Sequence, residues 1–205
     1  VAALSALYPD ILPYVPGCPD PMLDQEIRRA AREFCHRARP WLVWLSEITT
    51  VAGVRSYHAI TLPVDAEVFR IQRATLDDQP IDVLVYAEHE ADPATVPGQW
   101  PGVVSRDRQN VILMRDPAAG QKIKLQAVLA PSPTATTLDD TLVAQFGAAI
   151  VEGAKYRLMR VPGPLHKPQS AEEARLLFEI AIGAASHAAH RSQTNTTPRA
   201  SVKWC

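Results

Sequence analysis

No run of about 18 apolar residues occurs anywhere in the 205-residue chain, so no membrane-spanning helix is expected. Nor does the sequence open with a basic stretch followed by an apolar one, as a secretion leader would. Both absences point to a protein made in a cytoplasm and soluble there. Cysteine is scarce: Cys18, Cys35 and Cys205 stand far apart with no CxxC spacing. An odd, unpatterned set argues against a disulfide framework and reads as free thiols in a reducing compartment. Charge of one sign is lacking too. The formal net charge is -1, so no overall electrostatic pull toward nucleic acid or a membrane surface is expected. The chain also has no GxSxG elbow, no phosphate loop and no GxGxxG turn.

What is present is an apolar fraction of 47% beside a charged fraction of 21%, the balance of a folded globular chain. Eighteen prolines cut it into short pieces. Pro9, Pro13, Pro16 and Pro19 deny residues 1–20 a long helix, so this stretch reads as an extended N-terminal arm. Asp20-Pro21 then has the form of a helix start, with an acceptor at the cap and proline in the first turn. Leu23, Ile27, Ala30, Ala31, Phe34, Ala38 and Trp41 recur at helical spacing up to Pro40.

From 41 to 131 the rhythm is that of strands. Runs at 42–51, 54–62, 68–76, 81–86, 103–104 and 111–114 are bounded by turn residues. Residues 106–110 read as a hairpin tip, and 88–102 as an acidic, proline-containing loop. Ile123, Leu125, Ala127 and Leu129 alternate with polar neighbours. After a Pro/Ser/Thr linker, a second helix is expected over 139–159. A third, opened by a Ser170–Glu173 capping box, runs to about 192. Gly183, Ala184, Ala185, Ala188 and Ala189 make its later turns small-sided.

The expected fold is therefore α+β. A helical bundle of three main helices, from 21–40 plus 138–192, carries an inserted small antiparallel β module at 41–131. An extended arm precedes it and a flexible tail, 193–205, follows. Phe34, Trp41, Phe146, Leu177 and Phe178 are expected to pack the helices together. No long apolar stripe should be left over on a surface of mixed charge once they do, which implies a free chain that is monomeric or weakly associated.

No residue set stands out for catalysis, for a cofactor or for a metal. His187 and His190 lie three apart on one helix, yet no nearby cysteine or carboxylate completes a ligand set, and solvent-facing histidines explain them. Glu88-His89-Glu90 reads as an acidic surface loop. Cys35 falls beside an apolar face, where a thiol is usually a small core residue. Asp77-Asp78 and Asp139-Asp140 sit where turn and helix-start chemistry accounts for them. Arg28, Arg29, Arg32, Arg37 and Arg39 are interleaved with Asp24, Glu26 and Glu33, which favours a solvated or inter-subunit face over a DNA-tracking one. The tail differs, because Arg199, Lys203 and Trp204 have no acid beside them. Arginine and tryptophan are favoured binding anchors, so these three are candidate docking residues.

The stretch 15–41, VPGCPDPMLDQEIRRAAREFCHRARPW, resembles the N-terminal signature of bacteriophage head-to-tail adaptor (connector) proteins. Its core is Ala30-Ala31-Arg32-Glu33-Phe34-Cys35. Ala148-Ala149-Ile150, Gly153-Ala154 and Met159-Arg160-Val161-Pro162-Gly163 resemble the same family later in the chain. The resemblance implies a structural virion protein, not an enzyme. It would be a homo-oligomeric ring, a dodecamer, formed only on the portal protein, docked under it at the neck of the virion and assembled in the host cytoplasm. Such a ring extends the DNA channel without sequence-specific binding and offers a platform to the downstream tail component. Two other readings compete. A small cytoplasmic α/β hydrolase or metal enzyme would need a concave cluster of histidine and acid side chains. A nucleic-acid-binding regulator would need salt-dependent duplex binding.

Overall fold

The computed structural model describes residues 1–58, 61–84, 102–105 and 110–193. The chain divides into two compact units, Val1–Pro40 with Asp139–Cys205, and Trp41–Leu138.

The helical unit contains β1 (Ala2–Ala3), a 3-10 turn (Leu4–Leu7), α1 (Tyr8–Ile11), α2 (Asp20–Ala38), α3 (Asp140–Leu158) and α4 (Pro168–Gln193). The first twenty residues are thus not an extended arm. Pro9 occupies the first turn of α1, where a helix has no use for its missing N–H. Successive backbone turns then carry the chain on, with Tyr14 N–H to Ile11 O at 3.0 Å and Cys18 N–H to Val15 O at 3.2 Å. The apolar residues Leu4, Leu7, Ile11 and Val15, spaced by three and four, are all buried. The prolines limit helix length without abolishing the helical turn.

Asp20 does not cap α2. It lies inside the first turn and its side chain makes no capping bond, while Pro19 holds the cap position. Arg39 ends the helix in the left-handed region at φ 55°, just before Pro40. Asp139 caps α3, its carboxylate accepting from the N–H of Thr141 (2.9 Å) and Leu142 (3.3 Å). α4 starts at Pro168, with Ala171 N–H reaching Lys167 O at 2.9 Å, so Ser170 lies within the helix and forms no capping box.

α2, α3 and α4 meet at Phe34, which is 0% exposed. Its ring lies 5.1 Å from that of Phe146 and 6.1 Å from that of Phe178. Gly153 of α3 lets the helices close on this point: a Cβ there would stand 2.8 Å from the Phe178 ring and 3.0 Å from Ala30 Cβ. Around this core Arg37 pairs with Glu33 (3.1 Å) and, bidentately, with Glu179 (2.7 and 2.5 Å), and Arg157 pairs with Glu33. The Arg37 guanidinium holds the Glu179 carboxyl below its ordinary range. Buried Lys155 donates to Glu152 (2.8 Å) and lies 3.8 Å from the Tyr14 ring centre, while Lys167 donates to Tyr14 O (2.6 Å).

The β unit contains β2 (Leu42–Trp44), β3 (Ile48–Thr49), β4 (Ser56–His58), β5 (Ala66–Leu76), β6 (Gln79–Leu84), β7 (Gly102–Val104), β8 (Asn110–Leu113), β9 (Lys122–Pro131) and β10 (Thr137–Leu138). The order across its large sheet is β2-β9-β5-β6-β7-β8-β4, with β3 also on β9. β6 and β7 run parallel, pairing Asp82 with Gly102 and Leu84 with Val104. Among the described residues the fold is therefore four helices and an eight-stranded mixed sheet forming a half-barrel. This overturns the expected three-helix bundle with a small antiparallel β module. Two physical reasons account for it. The connection from Leu84 to Gly102 is long enough to bring the chain back before it pairs, as a parallel crossover requires. Register shifts between Val68 and Arg70 and between Ile71 and Arg73 add bulges to β5, and bulges bend and twist a strand.

β5 and β6 are joined by Asp77-Asp78, both at positive φ (50° and 62°), the two-residue turn whose twist suits a hairpin. Asp77 accepts from Lys122 N–H (2.8 Å) and Asp78 from Lys124 Nζ (2.6 Å), tying the turn to β9. The core is built from inward residues such as Val68, Ile71, Ile123, Leu125, Ala127 and Leu129, with Trp41 packed against it.

Asp65, at φ 61°, closes the end of this unit. One carboxylate oxygen, Oδ2, accepts from the N–H groups and hydroxyls of both Thr136 and Thr137, at 2.8 to 3.1 Å. The Thr137 hydroxyl, then the other donors, hold the Asp65 carboxyl below its ordinary range. A depressed carboxyl stabilises the fold at pH values above the unfolded-state value of about 4, and that contribution is lost as pH falls through the folded value. Urea midpoints of the wild type and Asp65→Asn should therefore differ at pH 6 and converge by pH 2. A gap independent of pH would refute the role given to the charge.

Candidate interaction surfaces

α4 is apolar on two sides. Ala171, Ala174, Phe178, Ile182 and Ala185 face the core, whereas Leu176, Leu177 and Ile180 stand outward at 50%, 54% and 68% exposure. Exposed Ala184 continues this row one turn on, and exposed Glu173 precedes it. At about 100° per residue, 173, 176, 177, 180 and 184 share one face of the helix. The row is short, three large side chains, and Leu177, expected to pack inside, lies outward on it. The signal was in the sequence: the apolar positions of 171–185 are too many to fit one face. Gly183 has nothing within 4 Å of an added Cβ, so it faces open space.

A second surface lies where the start of α2 meets the end of α3. Glu26, Arg29, Tyr156, Arg157, Arg160 and Pro162 are among the residues lining an open concavity of about 380 Å³. Arg29 donates to Glu26 (2.7 Å) and Arg157 to Glu33. Arg160 donates to the Tyr156 hydroxyl (3.2 Å), and the guanidiniums of Arg157 and Arg160 lie 5.9 and 5.6 Å from the Tyr156 ring centre. The Nε of Arg157 is buried without a hydrogen-bond partner.

The β unit presents a stiffened apolar turn. Val51 and Val54 are 58% and 40% exposed. The Tyr57 hydroxyl accepts from Val51 N–H (3.0 Å) and donates to Val54 O (2.6 Å). Beneath the turn, buried Thr50 donates to Ala118 O (2.6 Å) and accepts from Gln121 N–H (2.9 Å). A hollow of about 410 Å³ in the same unit is lined by Leu76, Ile81, Leu113, Arg115, Asp116 and Gln121, among others.

Of the residues singled out for packing, Phe34, Phe146 and Phe178 come together, Leu177 is outward, and Trp41 lies against the β-unit core. Arg199, Lys203 and Trp204 lie outside the described residues, as do His89, the side chain of His190 and residues 106–109 of the expected hairpin tip. Cys35 is fully buried, and desolvation pushes its thiol up to about 12, which makes it unreactive. Among the described residues no three His, Cys, Asp or Glu side chains are grouped as a metal ion would require. No helix of the described residues is long and apolar enough to cross a membrane. Residues 1–201 match the family model described as SU10 adaptor protein. No curated protein matches the chain.

Proposed function

The chain belongs to the SU10 adaptor protein family, a family of phage head-to-tail adaptors, and from that premise we propose that it forms a ring beneath the portal protein. The ring, a dodecamer as the resemblance implies, extends the channel through which the genome passes and presents the platform for the downstream tail component. The family makes the chain a structural protein of a bacteriophage virion, and the neck is where such adaptors act.

The observation that carries the ring is the outward row Leu176, Leu177 and Ile180 on α4. Large side chains left exposed along a helix mark a surface that another protein covers. Three of them are few beside the roughly 800 Å² per partner of a stable interface, which fits a chain that stays monomeric until a portal gathers its copies. The formal net charge of -1 supports a channel wall along which DNA slides without being held.

Attachment to the portal is assigned to the tail, with Arg199, Lys203 and Trp204 as anchors. A short segment needs one or two strong contacts to offset its ordering, and tryptophan supplies area at small rotamer cost. Purified portal mixed with full-length protein should show an added ring by electron microscopy. Deleting residues 194–205 should abolish or greatly weaken that attachment while circular dichroism keeps its helical signal. Wild-type attachment by the truncated chain would remove the tail from the mechanism. No added ring with the full-length chain would remove the ring itself.

A further inference from the structure

α4's outward row and the arginine-lined concavity belong to the same helical unit and are unlike in form and in charge. The row is convex and apolar, and its one acid, Glu173, has no ion-pair partner among the described residues. The nearby Glu172 is already taken by Arg175, at 2.5 to 3.0 Å. The concavity has the opposite character. Three guanidiniums, Arg29, Arg157 and Arg160, line it; with Arg37, which shares Glu33 with Arg157 and is held by Glu179, four guanidiniums stand against Glu26, Glu33 and Glu179, which leaves one cation in excess. That excess rests with Arg160, an exposed side chain whose one side-chain hydrogen bond among the described residues is to a neutral phenol. Arg160 also helps hold the Glu172 carboxyl low through space, but no ion pair joins them. The Tyr156 ring, Val161 and Pro162 give the concavity apolar walls.

We propose that the α4 row of one copy seats in this concavity of a second copy, with Glu173 meeting Arg160 and the leucine–isoleucine row covering Tyr156, Val161 and Pro162. The inference rests on the ring reading above and names the counter-surface it needs. A self-complementary patch pairs two copies and stops. Two unlike patches leave each copy with one of each still free, so the contact repeats until a ring closes. Charge complementarity selects a copy of this chain over a nucleic acid as the occupant. Two of the three guanidiniums are already matched by carboxylates, whereas a phosphate backbone needs a run of unmatched cations. An apolar helix face with one acid uses both the remaining charge and the apolar walls.

The test is a charge exchange in the full-length chain, read as ring occupancy on portal-bearing particles by quantitative co-sedimentation and microscopy. Glu173→Arg and Arg160→Glu should each lower occupancy at limiting protein by about tenfold or more. The double variant should recover to within about threefold of wild type, with circular dichroism unchanged throughout. A double variant no better than the worse single, or singles that assemble normally, would overturn the pairing. Ile180→Asp separates this from the ring reading. If it abolishes rings while the charge variants do nothing, the row is an interface and only the concavity is wrong as its seat. If it too assembles normally, the lateral reading falls and takes the pairing with it.

Discussion

Phe34→Ala should lower the unfolding free energy of the helical unit by about 3–5 kcal/mol, the range for truncating a fully buried phenylalanine. Phe34 is 0% exposed and touches rings from both later helices, Phe146 at 5.1 Å and Phe178 at 6.1 Å. Around it Ala38, Ile182 and Ala185 are buried as well. Alanines cannot swing in to fill the space, so most of the ring's volume would remain as a void, and the surrounding atoms would lose dispersion contacts outright. The measurement is a urea titration followed by far-UV circular dichroism, which the helices dominate. A loss below about 1 kcal/mol would mean that the three-helix junction has been misplaced.

A second large effect is expected at Gly153, one helix away. Its missing side chain is what lets α3 approach Phe178 and Ala30, and a Cβ at 2.8 Å from a ring carbon lies inside contact distance. The ring is 1% exposed and has no free space to retreat into. Gly153→Val, which adds two methyls beyond that Cβ, should cost about 3 kcal/mol, the upper end of the usual overpacking range. Gly147 provides the control on the same helix. There a Cβ would meet Leu7 and Val143 at 3.6 Å, ordinary contact distance. Gly147→Ala should therefore stabilise the protein by up to about 1 kcal/mol through the helix propensity it restores. Thermal midpoints moving in opposite directions would establish the distinction. Two shifts of the same sign would refute it.

These two positions illustrate what was legible beforehand. Phe34 falls on the regular apolar spacing of α2, so its burial could be read directly. Gly153 stood in the sequence only as part of a small-residue motif, and nothing local said that a phenylalanine twenty-five residues further on would press against it. The same limit applies to the sheet. The alternation of Ile123, Leu125, Ala127 and Leu129 is a property of one strand, and all four are fully buried in β9. Whether β7 lies parallel or antiparallel to β6 depends on the path between them, which no pattern within either strand encodes. The N-terminal stretch departs from the expected arm because the three-and-four spacing of Leu4, Leu7, Ile11 and Val15 outweighs its prolines, which limit helix length only. The family was legible because the stretch 15–41 is a motif in its own right, independent of packing. Of the outward row of α4 only Leu177 is expected inside from the sequence, since hydrophobicity alone does not say which of two apolar faces a partner will cover.

The helical unit is built from two stretches of chain with the whole β unit between them. During synthesis α2 emerges first, and its apolar face, including Leu23, Ile27 and Phe34, must wait for α3 and α4. The β unit is contiguous, so all of its strands are available once residue 138 has been made. Its collapse would bring the ends of the intervening chain into a compact span and reduce the closure entropy that α2 must overcome to find its partners. Until α4 is made there is no outward row, whereas every residue lining the concavity lies at or before Pro162. On the proposed ring reading, a chain that stopped before this row would carry the concavity but not the surface that seats in it.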